Sequence, residues 1–487
     1  MGKYFKIKSI PKTIKFIENL PKKQINLLSN YLLWREYASL LPNFPQRYFV
    51  RLFKICESDI SCWKVKNPEI VDEAIGVSFG NPLTNKAFSN SNINKIKKIK
   101  GKIDELIEAI GEERVNKIIN CYKQKSEGTK YLNFLEEFDE SNFEKLKIKY
   151  GYVTVTRWLR IPSPNAIKIL LRIHDGEYHK IPPKVLARLI GWGMGDGGIM
   201  DKGRKYFVCG KKEDLESIVD FIKQNIPKIS LVRIITNNGG GVIKRFDGKI
   251  KKIKANESWI VYVGDKSFGS LLYSYGLPKG RKVLTKFNIP AWIKDGSKEV
   301  KKAFLNSIFE CEGQKHRVTY NKKRNKIDIN PISFGIGKVV QYQENLVKFL
   351  NELRMLFLEF GINVSEVEKP RLSCLRKDGN LTCLARFAVS TSMSDVIRFS
   401  RVIDYRFNKE KQIALNEAVI EARVKLKRVM GKIEKYKRAI ELSRKGYKLW
   451  NISKITGVHY NTIEQWVKTK KHLPYLINAD IEGLLNG

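Results

Sequence analysis

The chain has 487 residues, 43% of them hydrophobic, with 91 Lys and Arg against 50 Asp and Glu and a formal net charge of +41. That length suits about three domains, and so large a cationic excess points to a polyanion; nucleic acid fits better than membrane, because no apolar run approaches the ~18 residues needed to span a bilayer and no signal-peptide core is present. Seven Cys without a CxxC pairing suit reduced thiols in a cytoplasmic protein, and five scattered His give no case for zinc.

Residues 1–178 read as an all-α region. Apolar positions recur at threes and fours, as in Ile25, Leu28, Tyr31 and Leu32 and in Ile103, Leu106, Ile107 and Ile110. The basic run Lys95 to Lys102 reads as a solvated helix face. Ile60 to Trp63 and Thr154 to Trp158 share the pattern of a C-terminal stretch, Thr462 to Trp466, and form two candidate helix-turn-helix units in which the turn Gly is missing or displaced.

Pro182 and Pro183 mark the boundary before Leu189 to Gly197 (LIGWGMGDG), a nine-residue stretch that returns as Leu305 to Gly313 (LNSIFECEG). Both open on Leu, place small residues third and seventh (Gly191 with Ser307, Gly195 with Cys311), and end on a carboxylate and Gly. Positions three and seven fall on one helix face. Two such faces predict a close helix–helix seam of Gly191, Gly195, Ser307 and Cys311, by the small-residue logic known from membrane helices. Asp196 and Glu312 then emerge together at helix C-termini, with Gly197 and Gly313 able to take the left-handed cap conformation. Two hard oxygen ligands predict Mg²⁺. Gly193, Gly195 and Gly198 also match GxGxxG, but an apolar helical stretch rather than a strand precedes them, so a dinucleotide site is rejected.

After Asp196 the pattern predicts a strand (Lys205 to Cys209), a helix (Glu213 to Asn225), strands Leu231 to Thr236 and Trp259 to Val263, and a helix ending near Tyr275. After Glu312 the order returns: strands His316 to Tyr320 and Lys326 to Phe334, helix Gln341 to Phe360, strands Asn363 to Glu368 and Leu381 to Val389, and helix Met393 to Phe399. Each repeat would supply a small antiparallel sheet backed by helices, and two sheets side by side would form a DNA-binding saddle. Residues 237–256, with Lys244, Arg245, Lys249, Lys251, Lys252 and Lys254 beside a Gly run, predict a flexible basic hairpin for phosphate contact. Near the C-terminus, Ala439 to Gly446, Ile452 to Val458 and His459 to Lys468 spell a helix-turn-helix. Ile463 and Trp466 would face its core, leaving His459, Tyr460, Asn461, Thr462, Glu464 and Gln465 for DNA.

On the two nine-residue motifs, together with GLPKGRK (Gly276 to Lys282), IPAWI (Ile289 to Ile293) and the long helical stretch Phe349 to Ile362, the sequence resembles the LAGLIDADG homing endonuclease family in its two-repeat, single-chain archaeal form. The resemblance covers residues 180–410. It implies an α+β fold of two pseudo-symmetric αββαββα repeats, here flanked by the helical N-terminal region and the C-terminal helix-turn-helix. The expected domains are 1–178, 179–296 (repeat 1), 297–410 (repeat 2) and 411–487. It further implies Asp196 and Glu312 as the essential acids sharing Mg²⁺, and a staggered double-strand break at a long pseudo-palindromic site. Lys315 and Lys282 are candidate catalytic cations by their position relative to the motifs. Met194 stands where the namesake motif has an acid, and Glu312 where Asp is commoner. Met1 is no splicing nucleophile and Leu485-Asn486-Gly487 is no His-Asn pair, so a free-standing, monomeric nuclease acting on double-stranded DNA is expected rather than an intein. The alternative is a non-cleaving DNA-binding regulator, or a maturase on intron RNA, built on the same scaffold.

Overall fold

The computed structural model describes residues 90–474, apart from 123–124, 161–163, 201–204 and 231, together with Gly483. The chain divides into two compact units, Met1–His174 and Asp175–Gly487. The candidate unit at Ile60 to Trp63 lies outside the described residues. No helix among them is long and apolar enough to cross a membrane.

The first unit is helical: α1 (Asn90–Ile110), α2 (Glu112–Asn120), α3 (Lys125–Glu137), α4 (Phe143–Tyr150), α5 (Tyr152–Arg160) and α6 (Asn165–Asp175). Ile96, Ile99, Ile103, Leu106 and Ile110 bury one stripe of α1, while Lys95, Lys97 and Lys98 face water. Its basic run is thus the outer face of an amphipathic helix. Gly151 turns between α4 and α5 at φ 84, and Val155 and Trp158 of α5 are buried. Trp158 packs against Tyr131 and Phe134 of α3 at ring-centroid distances of 5.2 and 5.1 Å.

In the second unit α7 (Pro183–Met194) runs into β1 (Gly197–Ile199) and β2 (Tyr206–Gly210), followed by α8 (Lys212–Asn225), β3 (Val232–Arg245), β4 (Ile250–Val263) and α9 (Lys266–Ser274). The short helix α10 (Ala291–Lys294) leads to α11 (Lys298–Glu312). Then come β5 (Arg317–Asn321), β6 (Lys326–Asn330), β7 (Ser333–Val339), α12 (Gln343–Glu359), β8 (Arg371–Leu375), β9 (Leu381–Ala388) and α13 (Met393–Val402). The 36-residue helix α14 (Lys409–Arg444) leads to α15 (Leu449–Thr456) and α16 (Tyr460–Glu464).

Mixed helices and antiparallel strands make this an α+β fold. The expected pair of sheets is one seven-stranded sheet of order β1-β2-β4-β3-β8-β9-β7, with β5 and β6 forming a separate hairpin. The halves join where Lys244 pairs with Leu375 and Arg245 with Cys374. They meet because β3 and β4 each run 14 residues, straight through the segment expected to be a flexible hairpin. A register shift between Gly239 and Gly241 takes up the irregularity there, as bulges do, and Gly248 at φ 80 closes the turn.

Two prolines explain the other departures. The expected strand Lys326 to Phe334 is cut at Pro331: β6 pairs only with β5, while β7 joins the main sheet against β9. The expected strand Asn363 to Glu368 lies along β9 through one isolated bridge, Val364 with Val389, and through the Ser365 and Glu368 amides, which donate to the Ala388 and Arg386 carbonyls; a named strand, β8, begins only after Pro370, which has no N–H to give. Within the strands burial alternates as the pleat requires. Cys383, Ala385 and Phe387 of β9 and Tyr206 and Val208 of β2 point into the core, under Leu215, Ile218 and Ile222 of α8 and Leu346, Phe349, Leu350 and Leu353 of α12.

Candidate active site

The site is built where α7 meets α11. A Cβ on Gly191 would lie 1.9 Å from Ser307 Oγ and 2.8 Å from the Phe304 carbonyl, and one on Gly195 would lie 2.4 Å from Cys311 Cβ. The two backbones therefore approach as closely as they do only because these positions carry little or no side chain. Ser307 is fully buried, and its hydroxyl bonds back to the Ala303 and Phe304 carbonyls, each at 3.0 Å.

The glycines after the acids do a different job from the one expected. Gly313 has φ −67, and Gly197 is not among the glycines with positive φ. What they supply is room. A Cβ on Gly197 would sit 2.3 Å from the Phe207 carbonyl, and one on Gly313 2.7 Å from the Phe309 carbonyl. The chain leaves α7 directly into β1, where Gly197 pairs with Val208, so an extended exit replaces a left-handed cap.

Asp196 lies just past the end of α7, exposed on one side and walled by protein on the other; Glu312 is the last residue of α11 and half-buried. Burial pushes the Asp196 carboxyl up, against the pull of Lys282, Lys411 and a hydrogen bond from the Cys311 thiol. Burial and then the charge of Asp196 push Glu312 up, again opposed by Lys282 and Lys411. Two carboxylates thus share one neighbourhood with two ammonium groups. Burial pushes both lysines down, opposed by the carboxylates.

Those lysines are anchored on the ends of the two motif helices. Lys282, in a 3-10 turn, donates to the Met194 carbonyl of α7 at 3.0 Å. Lys411, in the first turn of α14, donates to the Phe309, Glu310 and Cys311 carbonyls of α11 at 3.1, 2.7 and 3.0 Å. The Met194, Glu310 and Cys311 carbonyls are among those a helix end leaves free, while Phe309 also accepts from the Gly313 amide; each lysine offsets the negative end of its helix dipole. Lys411 was not among the residues expected from sequence. Lys315, which was, lies exposed and acts on Glu410. Beside Asp196 a cleft of about 600 Å³ is lined by Ile199, Met200, Phe207, Arg281 and Lys282.

A second charged pair lies deeper in the seam. Glu310, buried, accepts from Trp192 Nε1 at 2.7 Å and from the Phe407 amide at 3.2 Å, with Arg188 Nη1 3.6 Å away. Burial is the main cause that lifts its carboxyl to about 7. It sits at the motif position held by Met194 in the first copy.

The remaining expected residues lie elsewhere. Lys244 and Arg245 end β3 and Lys249 stands in the turn, all exposed, with Asp247 within 4.0 Å of Arg245 and 3.9 Å of Lys249. The side chains of Lys251, Lys252 and Lys254 lie outside the described part. At the C-terminus Ile463 and Trp466 are buried with Ala439, Leu442 and Ile452. Gly457 turns between α15 and α16 at φ 62. His459 and Asn461 are exposed, Tyr460, Thr462 and Gln465 half-buried; His459 Nδ1 accepts from the Asn461 amide at 3.3 Å, and Glu464 pairs with Lys468 at 2.9 Å.

Among the described residues no three or more His, Cys, Asp or Glu side chains gather as a metal cluster. Asp196 and Glu312 are two, and as hard oxygen donors, with the charge of Asp196 raising the Glu312 carboxyl, they suit a divalent cation that takes its other ligands from water or phosphate.

No family model matches the chain. It is similar to the tRNA-splicing ligase RtcB of Methanopyrus kandleri, 28% identical over 242 residues, 47% of this chain and 22% of the ligase. It is also similar to the replication factor C small subunit (31% over 196 residues, 39% of this chain and 10% of that protein) and the DNA-directed RNA polymerase subunit Rpo1N (30% over 210 residues, 42% and 15%) of Methanocaldococcus jannaschii. The chain thus spans less than a quarter of the length of each of these relatives. Among solved structures it is matched to the homing endonuclease I-DmoI, including a complex with DNA and Ca, at 13% identity and a TM-score of 0.26, covering 45% of this chain and 89% of that one.

Proposed function

We propose that the chain is a site-specific endonuclease that hydrolyses phosphodiester bonds of double-stranded DNA with the help of Mg²⁺. One observation carries this reading: the acids ending two close-packed helices, Asp196 and Glu312, are near enough for the charge of one to raise the other, and Lys282 and Lys411 face them both. The pattern of relatives supports it. A ligase, a replication factor and a polymerase subunit share no activity, yet each is similar to this chain over 196 to 242 residues, a small part of its own length. A module carried by unrelated hosts explains that better than a shared host activity.

Asp196 and Glu312 would hold the ion between them. When bound, a divalent cation lowers the pKa of a coordinated water and offsets charge on the phosphate. Lys282 and Lys411, held by carbonyls on fixed helix ends, keep positive charge where negative charge grows during hydrolysis. The duplex would lie on the open face of the sheet, opposite the Val208 and Val261 core. Arg233, Ile235, Phe207 and Tyr262 share that face in the first half, and Leu384, Arg386, Gly335 and Gly337 share it in the second. The basic end of β3 would follow the phosphates, and α16 of the C-terminal helix-turn-helix would enter a major groove with His459, Tyr460, Asn461, Thr462 and Gln465.

The appended α15–α16 module favours a second reading, a regulator that binds a duplex without cutting it. Incubation of the purified full chain with a supercoiled plasmid library and Mg²⁺ separates the two. Linear product at one sequence, lost in Asp196→Asn while duplex binding persists, is the expected result. Sequence-specific binding with no product from the wild-type chain would favour the regulator, and preference for structured intron RNA a maturase.

A further inference from the structure

The two halves of the sheet match element by element until the stretch after the acid. In the first half only six residues, 200–205, separate β1 from β2. In the second, Gly313 bridges to Phe334 in β7 much as β1 pairs with β2, but residues 314–332 are looped out between them as the β5–β6 hairpin. That insert holds Lys315, Arg317, Lys322, Lys323, Arg324 and Lys326 against one acid, Asp328.

The hairpin is held firmly from below. Ile329 packs with Ala418, Ala422 and Leu426 of α14, joined by Val318, and Lys425 donates to the Ile327 carbonyl. Asp328 is engaged by Lys326 at 3.2 Å and by Asn321 at 2.9 Å. Arg317, Lys322 and Lys323 remain exposed, as do Tyr320 (59%) and Ile327 (38%) at the far end of the ribbon. Cations carried on an anchored ribbon, with the local acid already engaged, meet a polyanion without the cost of ordering a loop.

Resting on the nuclease reading above, we propose that the hairpin Arg317–Asn330 is a second contact to the sugar-phosphate backbone of duplex DNA, present on the Glu312 side only. The footprint therefore extends further beyond the cut on that side than on the other. Five-residue strands span ~17 Å, about five base pairs at 3.4 Å each.

The test is a full-length triple variant, Arg317→Ala, Lys322→Ala and Lys323→Ala, titrated with a 40-base-pair duplex of random sequence over a salt series. Three exposed cations leave the core untouched, so the melting temperature should be unchanged. The slope of log affinity on log salt should fall by about 2 to 3, since each phosphate neutralised contributes ~0.9. On a duplex selected by cleavage, protection should shorten on one side alone. An unchanged slope and footprint, with the wild-type chain still binding and cutting, would overturn the hairpin's role and leave the nuclease reading intact. Loss of slope on an RNA stem-loop but not on duplex DNA would overturn the assignment to DNA. Failure of the wild-type chain to bind the duplex at all would remove both.

Discussion

At Asp196 function and stability pull in opposite directions. Its raised carboxyl means that the folded chain holds a proton that the unfolded chain gives up sooner. The stability this group contributes is therefore complete at low pH and lost as pH rises through the folded value. Asp196→Asn should melt above the wild-type chain at neutral pH without divalent ions, and the difference should vanish in acid. Mg²⁺ should raise the wild-type melting temperature and not that of the variant, by linkage; a variant that melts lower at neutral pH would contradict the placement of the pair. Glu310 gives a second titration in a numbered window. With its carboxyl moved from 4.5 to about 7, the native state binds the extra proton between those values, so stability falls as pH rises across them. Glu310→Gln should reduce that slope in urea midpoints taken from pH 4.5 to 7, and an unaltered slope would show that the group titrates as if in water. The placing of Asp196 and Glu312 could be read from a repeated nine-residue pattern. Lys411 could not, because no motif surrounds it. It stands 99 residues after Glu312, where Lys282 stands 86 after Asp196, and the offset becomes intelligible only once the inserted hairpin is seen: β7 opens 21 residues after Glu312, β2 only 10 after Asp196.

At the scale of elements the seam between α7 and α11 decides most. Its small residues leave no slack, so Gly195→Ala must push α11 away or displace Cys311. Overpacking of this kind costs typically about 1 to 3 kcal/mol, and here it moves both acids with it. Gly195→Ala should lower the melting temperature and reduce cleavage together, whereas Gly248→Ala, in open space but at positive φ, should affect stability alone. Equal, negligible effects at both positions would contradict a tight seam. Helix and strand periods could be read well where the burial pattern is regular, as in α1, α8 and β9. They misled at Pro331, where apolar residues continue across a residue that cannot keep the ladder, and at Asn363 to Glu368, where alternating apolar residues make only one bridge. They also misled at residues 237–256, where a Gly-rich, basic composition typical of loops is carried on paired strands, because pairing to β4 satisfies the backbone whatever the side chains are.

For the whole molecule, a charge of +41 together with an open sheet face predicts binding dominated by phosphate contacts. Affinity for duplex DNA should fall steeply with salt through counterion release, and near-constant affinity across a salt titration would count against a phosphate-dominated interface. That a polyanion is the expected partner was legible from composition. That the two halves share one sheet was not, since the pairing of β3 with β8 joins residues 129 and 131 apart in sequence, and no local pattern encodes it. The central claim is that Asp196 and Glu312 jointly hold one kind of ion. It is tested most directly by anomalous diffraction from Mn²⁺ in crystals of the full chain with a bound duplex. A peak touching both carboxylates and missing from Asp196→Asn crystals is expected; a peak that avoids the pair, or that persists unchanged in the variant, would show that the two acids do not share the ion.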